Sequence, residues 1–326
     1  MALTLAAALG LAACGSNSSG PSFSSTITDS AAADLGSTAD GFAGNLVSVF
    51  DFQGTAIGLS PKASPRAVAL LNGAWMAATH SQVPRYTIKG IATPPVLQLS
   101  SASGCNGGNY ITTSGDSSDA DGDGIMANYT TTISCDSTLP NGSVVSYHGT
   151  VLIQDVPGLY GFHFSANLTE SLTDSAHNNT TIAINATEDA AFTANLAQDH
   201  VNLTVTESFK TGAGVTTGIG EHYNWDASFT PTSGSLAVGS PLPDGAIHFA
   251  GGFYILDLGN AANNFSFNIE TTTDLAYSSA CEGESDPFTD GVIKGFLNGK
   301  ADVGFTITYD NGCGNAPTIV GHGNSI

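Results

Sequence analysis

From about Tyr129 to the end of the chain, apolar side chains recur at every second position, and no other feature narrows the possible folds as much. Val145, Tyr147, Val151 and Ile153 alternate with polar residues, and so do Phe162, Phe164, Ala166 and Leu168. The pattern returns in Ile182 and Ile184, in Val201, Leu203, Val205 and Phe209, and in Tyr223, Trp225, Ala227 and Phe229. It continues in Phe265, Phe267 and Ile269, and ends in Val303, Phe305, Ile307 and Tyr309. Successive side chains of a strand point to opposite faces, so each stretch makes a strand with one apolar and one wet face, as in antiparallel sheet. Turn-forming residues separate the stretches: Pro140-Asn141-Gly142, Pro157-Gly158, His177-Asn178-Asn179, Pro243-Asp244-Gly245 and Asp310-Asn311-Gly312.

Before this region the period is different. Leu35, Ala39, Phe42, Leu46, Val47 and Phe50 recur at three- and four-residue spacings, one face of an amphipathic helix between Ser25 and Gln53. Gly36, Gly41 and Gly44 weaken its intrinsic propensity. Arg66 to His80 reads as a second, shorter helix entered after Pro65, and Pro84, Pro94 and Pro95 end the helical part. Roughly ten strands in succession tend to curl or close. The expected fold is therefore mainly β: a large curved antiparallel meander sheet or barrel, with one or two N-terminal helices covering its apolar face. That arrangement resembles, in architecture alone, the half-barrel of periplasmic lipoprotein carriers. A transmembrane β-barrel also alternates, but the sequence shows no clear aromatic girdles.

Residues 2–13 are an Ala/Leu-rich run, too short to span a bilayer as a helix but of signal-peptide length. The run ends in Leu11-Ala12-Ala13-Cys14, which resembles the lipobox of bacterial lipoproteins. The resemblance implies diacylation of Cys14, removal of the preceding peptide and attachment to a membrane through lipid. Gly15 to Gly20 is small and polar, suited to a flexible tether. A signal peptide begins with Lys or Arg, and no base precedes Lys62, so the leader is expected to start upstream of Met1. If the source is Gram-negative, Gly15 rather than Asp after the lipidated Cys leans toward the outer membrane. The domain reading is a signal peptide over 1–13, a lipidated tether over 14–24, a helical segment over 25–95 and an antiparallel β domain over 96–326.

With Cys14 assigned to lipid, Cys105, Cys135, Cys281 and Cys313 remain. An even number in an exported chain suggests two disulfides with three possible connectivities, and the local pairs Cys105–Cys135 and Cys281–Cys313 are favoured. No C-x-x-C or nearby His pair supports zinc.

The net charge is −21 and is unevenly spread. Of the 28 acids only Asp29, Asp34, Asp40 and Asp51 precede residue 90, whereas of the 7 bases only Lys210, Lys294 and Lys300 follow it. Such a surface repels phosphate backbones and anionic headgroups, which excludes nucleic acid as an expected partner and leaves divalent cations as natural counter-charges. The sharpest local pattern is Asp119-Ala120-Asp121-Gly122-Asp123-Gly124-Ile125. Three Asp at alternate positions, then a Gly that permits a sharp turn, converge carboxylates on one point. This resembles the calcium loops of thrombospondin type 3 repeats and of dockerins. It implies side-chain oxygens from Asp119, Asp121 and Asp123 and the carbonyl of Ile125 around a structural calcium, while Thr130 stands where those families supply a further carboxylate and Asp116 or Asn128 is available to compensate.

Other constellations carry less. Glu282, Glu284, Asp286 and Asp290 fit no standard cation loop and read as a solvated loop, and Gly212 to Gly220 as a flexible hairpin connection. His148, His163, His200, His222 and His248 fall on separate strands with no spacing that links them. No G-x-S-x-G elbow or H-E-x-x-H motif occurs. The expected function is a non-catalytic envelope lipoprotein whose curved sheet binds an apolar ligand or docks a partner protein. A structural or surface-exposed component without ligand is the second reading. An envelope hydrolase is the third, and it requires a His and a carboxylate converging in a pocket.

Overall fold

The computed structural model describes residues 28–50, 111–118, 127–156, 160–237, 240–260, 264–281, 286–297 and 300–323. Among the described residues one α-helix, α1 (Asp29–Phe50), precedes twelve strands. They are β1 (Ile111–Asp116), β2 (Asn128–Thr138), β3 (Val144–Asp155), β4 (Tyr160–Thr173), β5 (Asn179–Thr193) and β6 (Leu196–Lys210). Then follow β7 (Thr216–Pro231), β8 (Gly245–Asp257), β9 (Phe265–Tyr277), β10 (Phe288–Leu297), β11 (Lys300–Tyr309) and β12 (Thr318–His322). All twelve pair in sequence order in one antiparallel sheet, which is not closed into a barrel. The expected second helix, the lipobox around Cys14 and the loop Asp119 to Ile125 lie outside the described residues.

Alternation decides which way each strand faces. On β4, Phe162, Phe164, Ala166 and Leu168 are at most 3 % exposed, while His163, Ser165, Asn167 and Thr169 between them point outward. The apolar residues of β2 to β11 join one core, with Phe162, Phe164, Phe192, Phe229, Phe249 and Phe267 among its largest fully buried side chains. Across the middle of the sheet the outward rows are Ser, Thr, Asn, His and Asp: Thr150, Asn167, Asn185, Thr204 and His222 stand side by side in register from β3 to β7. A lipid-facing barrel needs an apolar band outside, so these rows argue for a sheet whose outer face meets water.

At the C-terminal end of the sheet, rings close over small residues. Phe267 of β9 and Phe305 of β11 stack with centroids 5.2 Å apart. A Cβ on Gly295 of the intervening β10 would lie 2.5 Å from both rings. The helix then covers this end through its own small residues: Ala32, Ala39 and Ala43 are fully buried, and a Cβ on Gly36 would come within 2.6 Å of Ile319 on β12. Here the weak helix former is the one that lets two backbones approach.

The cysteines Cys281 and Cys313 are disulfide-bonded, with Cα atoms 5.5 Å apart. The bond ties the β9–β10 connection to the β11–β12 connection. Cys135 is also disulfide-bonded; Cys105, its expected partner, lies outside the described residues. Two expectations need correction. Phe209, expected on the buried face, is 41 % exposed at the end of β6, because the strand overruns the core there. Gly218 and Gly220, expected in a flexible connection, belong to β7; the turn itself is confined to Thr211–Val215, where Thr211 N–H donates to the Val215 carbonyl at 2.9 Å.

Candidate functional site: a row of His–Asp pairs beside a groove

Every second hairpin in the middle of the sheet opposes an outward His to an Asp. The register sets His163 of β4 against Asp189 of β5 and His200 of β6 against Asp226 of β7. The imidazole Nδ1 of His163 lies 2.6 Å from Asp189 Oδ1, that of His200 2.7 Å from Asp226 Oδ1, and that of His248 on β8 2.9 Å from Asp274 Oδ1 on β9. A carboxylate only accepts, so in each pair Nδ1 carries the proton and donates. The neutral ring then keeps its lone pair on Nε2, directed away from its Asp. His148 is arranged the other way round, with Nε2 3.0 Å from Asp136 Oδ1 and Nδ1 3.3 Å from the Ser134 hydroxyl. Hydrogen bonds from Ser146 and then His148 hold the Asp136 carboxyl below its ordinary pKa. His222 meets Thr204 Oγ at 2.8 Å, and burial pushes its pKa down.

The third pair is built differently from the first two. Between the matched residues Ile247–Leu275 and Ala250–Glu270, β8 holds only His248 and Phe249, whereas β9 holds Thr271, Thr272, Thr273 and Asp274. This bulge turns β9 so that Asp274 reaches back to His248, a use of bulges that is frequent beside functional sites. The buried Thr271 hydroxyl repairs the interrupted ladder. It accepts from Phe249 N–H at 3.1 Å, donates to the Phe249 carbonyl at 3.2 Å and stands 3.0 Å from His248 Nδ1.

A groove of about 490 Å³ runs over β5 to β8, and its lining includes Asp189, Gln198, His200, Asp226, Ser228 and His248. Glu188 and Asp199, each 1 % exposed, are buried in the same strands, and neither is without a partner. Sequence reasoning noted the histidines and missed their partners. A signal existed: in all three pairs the Asp follows its His by 26 positions, the span of a hairpin with long strands.

The acidic group after Cys281 also reads differently in three dimensions. Asp286 is 6 % exposed rather than solvated, and Asp290 belongs to β10. Tyr309 donates its hydroxyl to Asp40 of α1 at 2.7 Å. Burial raises the Asp286 pKa and the neighbouring Asp40 charge raises it further, against the Phe288 N–H that stabilises the carboxylate. Burial and Asp40 likewise push the Tyr309 hydroxyl far up.

Of the expected calcium loop, the structure describes the frame. Asp116 of β1 pairs with Asn128 of β2, and Ala127 N–H donates to the Ser118 carbonyl at 2.8 Å. Asp116 Oδ1 accepts the Ser118 N–H at 2.9 Å, which lowers its pKa. Among the described residues no group of three His, Cys, Asp or Glu is placed to hold a metal ion. Compared with known proteins, the chain matches no family model, no curated protein and no solved structure.

Proposed function

We propose that this chain is a lipid-anchored protein of the cell envelope that binds a polar ligand or partner on its outward sheet face. Cys14 would carry the lipid, with the outer membrane as its location in a Gram-negative source. The observation that carries the reading is the groove beside the His–Asp pairs, where His200, His248, Asp189 and Asp226 line one concavity. An apolar ligand is less well supported, because the large aromatic side chains of the described apolar face are already buried. Calcium is proposed as a structural ion at Asp119, Asp121, Asp123 and the Ile125 carbonyl. Nucleic acid remains a poor partner for a chain of net charge −21.

Native mass spectrometry of protein extracted from its own membrane tests the reading. Wild type should carry the mass of acyl chains on Cys14 together with a bound polar molecule. Ser228→Trp, which fills the groove, should keep the lipid and lose the ligand. A ligand retained by Ser228→Trp would place binding elsewhere, and an unmodified Cys14 would end the anchor reading.

A further inference from the structure

We propose that the groove is also an esterase site, in which Ser228 is the nucleophile, His248 the general base and Asp274 the group that orients the imidazole. The proposal rests on the groove being the ligand site. It singles out one of the three His–Asp pairs that bond through Nδ1 by asking what stands on the far side of each ring. Beside His163 across β3 is Gln154. Beside His200 across β5 is Asp189, a second acid. Beside His248 across β7 is Ser228, its directly opposed residue, and opposed side chains in an antiparallel pair lie about 4.5–5.5 Å apart at Cβ on the same face. Among these three pairs, this is the ring with an acid on the Nδ1 side and a hydroxyl residue directly opposed on the other flank.

The row Gln198, Ser228, His248 and Asp274 therefore crosses β6, β7, β8 and β9, and its first three members line the groove. Asp274 holds the Nδ1 proton at 2.9 Å, which leaves Nε2 with the lone pair a base requires. The β9 bulge aims Asp274, and Thr271 locks the bulge, so the pair is fixed from beneath. Gln198, opposed to Ser228 on the other side, supplies an amide N–H donor for the oxygen that becomes negative. In the first step the Ser228 Oγ proton passes to His248 Nε2 as Oγ bonds to the acyl carbon. The carbonyl oxygen takes the negative charge. Collapse breaks the bond to the leaving alcohol, which departs with the proton from Nε2 and leaves an acylated Ser228. Water then attacks, gives its proton to Nε2, and the acid leaves as Ser228 recovers that proton. The net reaction is ester plus water to acid plus alcohol. Asp189 and Asp226 at the groove repel anions, so the substrate class is a short acyl ester of a neutral or positively charged polar alcohol.

The test uses full-length protein in detergent, with p-nitrophenyl acetate as substrate and a fluorophosphonate as active-serine label. Wild type should hydrolyse the ester faster than buffer, and the label should map to Ser228. Ser228→Ala and His248→Ala should each lose about 10²-fold or more. Asp274→Asn should lose rate while retaining the label site. His148→Ala, at a His–Asp pair remote from the groove, should behave as wild type. Ser228→Cys should restore a nucleophile that iodoacetamide blocks, which separates lost chemistry from lost folding. Wild-type rates in Ser228→Ala, a label on another residue or no turnover by wild type would each overturn the proposal. If groove-bound ligand survives in Ser228→Ala but wild type shows no turnover, only the chemistry fails and the binding reading stands.

Discussion

Three side chains gathered against the middle of the helix show how little of a residue's environment its neighbours in sequence reveal. Asp40 reads as the polar face of a helix and Asp286 as part of a solvated acidic run, yet both flank the Tyr309 hydroxyl, which donates to Asp40. The Asp286 Oδ1 accepts the Phe288 N–H at 3.1 Å, while its Oδ2 is buried with no hydrogen-bond partner. The His–Asp pairs make the same point: the residue types and their spacing of 26 positions were visible, but that each Asp meets its His follows only from the hairpin register. Asp286 gives a pH prediction. Its folded pKa is raised, so the native state binds that proton more tightly than the unfolded chain, whose Asp titrates near ~3.9. The resulting stabilisation is complete below the unfolded value and is lost as pH rises through the raised folded value. Asp286→Asn keeps an acceptor for Phe288 and presents an amide in place of a second charge near Asp40. Urea midpoints measured from about pH 4 to pH 7 should fall more steeply in wild type than in this variant, which should be the more stable of the two at the upper end. Parallel curves would mean that burial and the neighbouring Asp40 do not raise the Asp286 pKa in the folded state.

Among elements, strands with long side chains at alternate positions were legible and the others were not. β8 runs Gly-Ala-Ile-His-Phe-Ala-Gly-Gly and β10 carries Asp290, Gly291 and Gly295, so their alternation is blurred by residues chosen for close packing and bulges rather than for apolar area. β1 is Ile-Thr-Thr-Ser-Gly-Asp, almost without apolar residues, and β12 packs through Ile319 and a glycine. The helix was legible, but its partner was not: α1 docks on β11 and β12, the last elements in the chain. Asp29 Oδ1 at its first turn accepts the Gly323 N–H, so the start and end of the described chain meet. A Cβ on Gly321 would collide with the Asp29 carbonyl, a backbone atom that cannot step aside as a side chain would. Gly321→Ala should therefore lift the helix N-terminus from the sheet, costing about 1–3 kcal/mol as overpacking commonly does. Hydrogen exchange should speed up first in α1 and β12, with the middle strands unchanged. Equal exchange rates in variant and wild type would mean that the helix is held without this contact.

For the whole molecule, the meander was legible because it follows from counting period-two stretches joined by short turns, and sequence neighbours in such a sheet are spatial neighbours. What the molecule uses that sheet for was less so, since the outward positions are Ser, Thr, Asn, His and Asp throughout and only register separates a working row from a merely soluble one. Charge belongs to this scale as well. An acidic chain of −21 is stabilised wherever a cation relieves self-repulsion, and the Asp119 to Asp123 loop places carboxylates at three alternate positions. The frame of that loop is preset: the β1–β2 register runs to Asp116 and Asn128, and the Ser118 to Ala127 hydrogen bond closes its base. Because Thr130 of β2 is paired with Ser114 of β1 and offers no carboxylate, affinity should fall in the weak extracellular range of roughly 10⁻⁴ to 10⁻³ M. Calorimetric titration with calcium should give one such site in wild type and none in Asp121→Ala with Asp123→Ala, while the double variant keeps the β1–β2 amide exchange rates measured without calcium. Equal heats would mean that the loop is an acidic turn and that calcium binds elsewhere, and no heat from either protein would mean that the loop is an acidic turn and calcium is not a ligand.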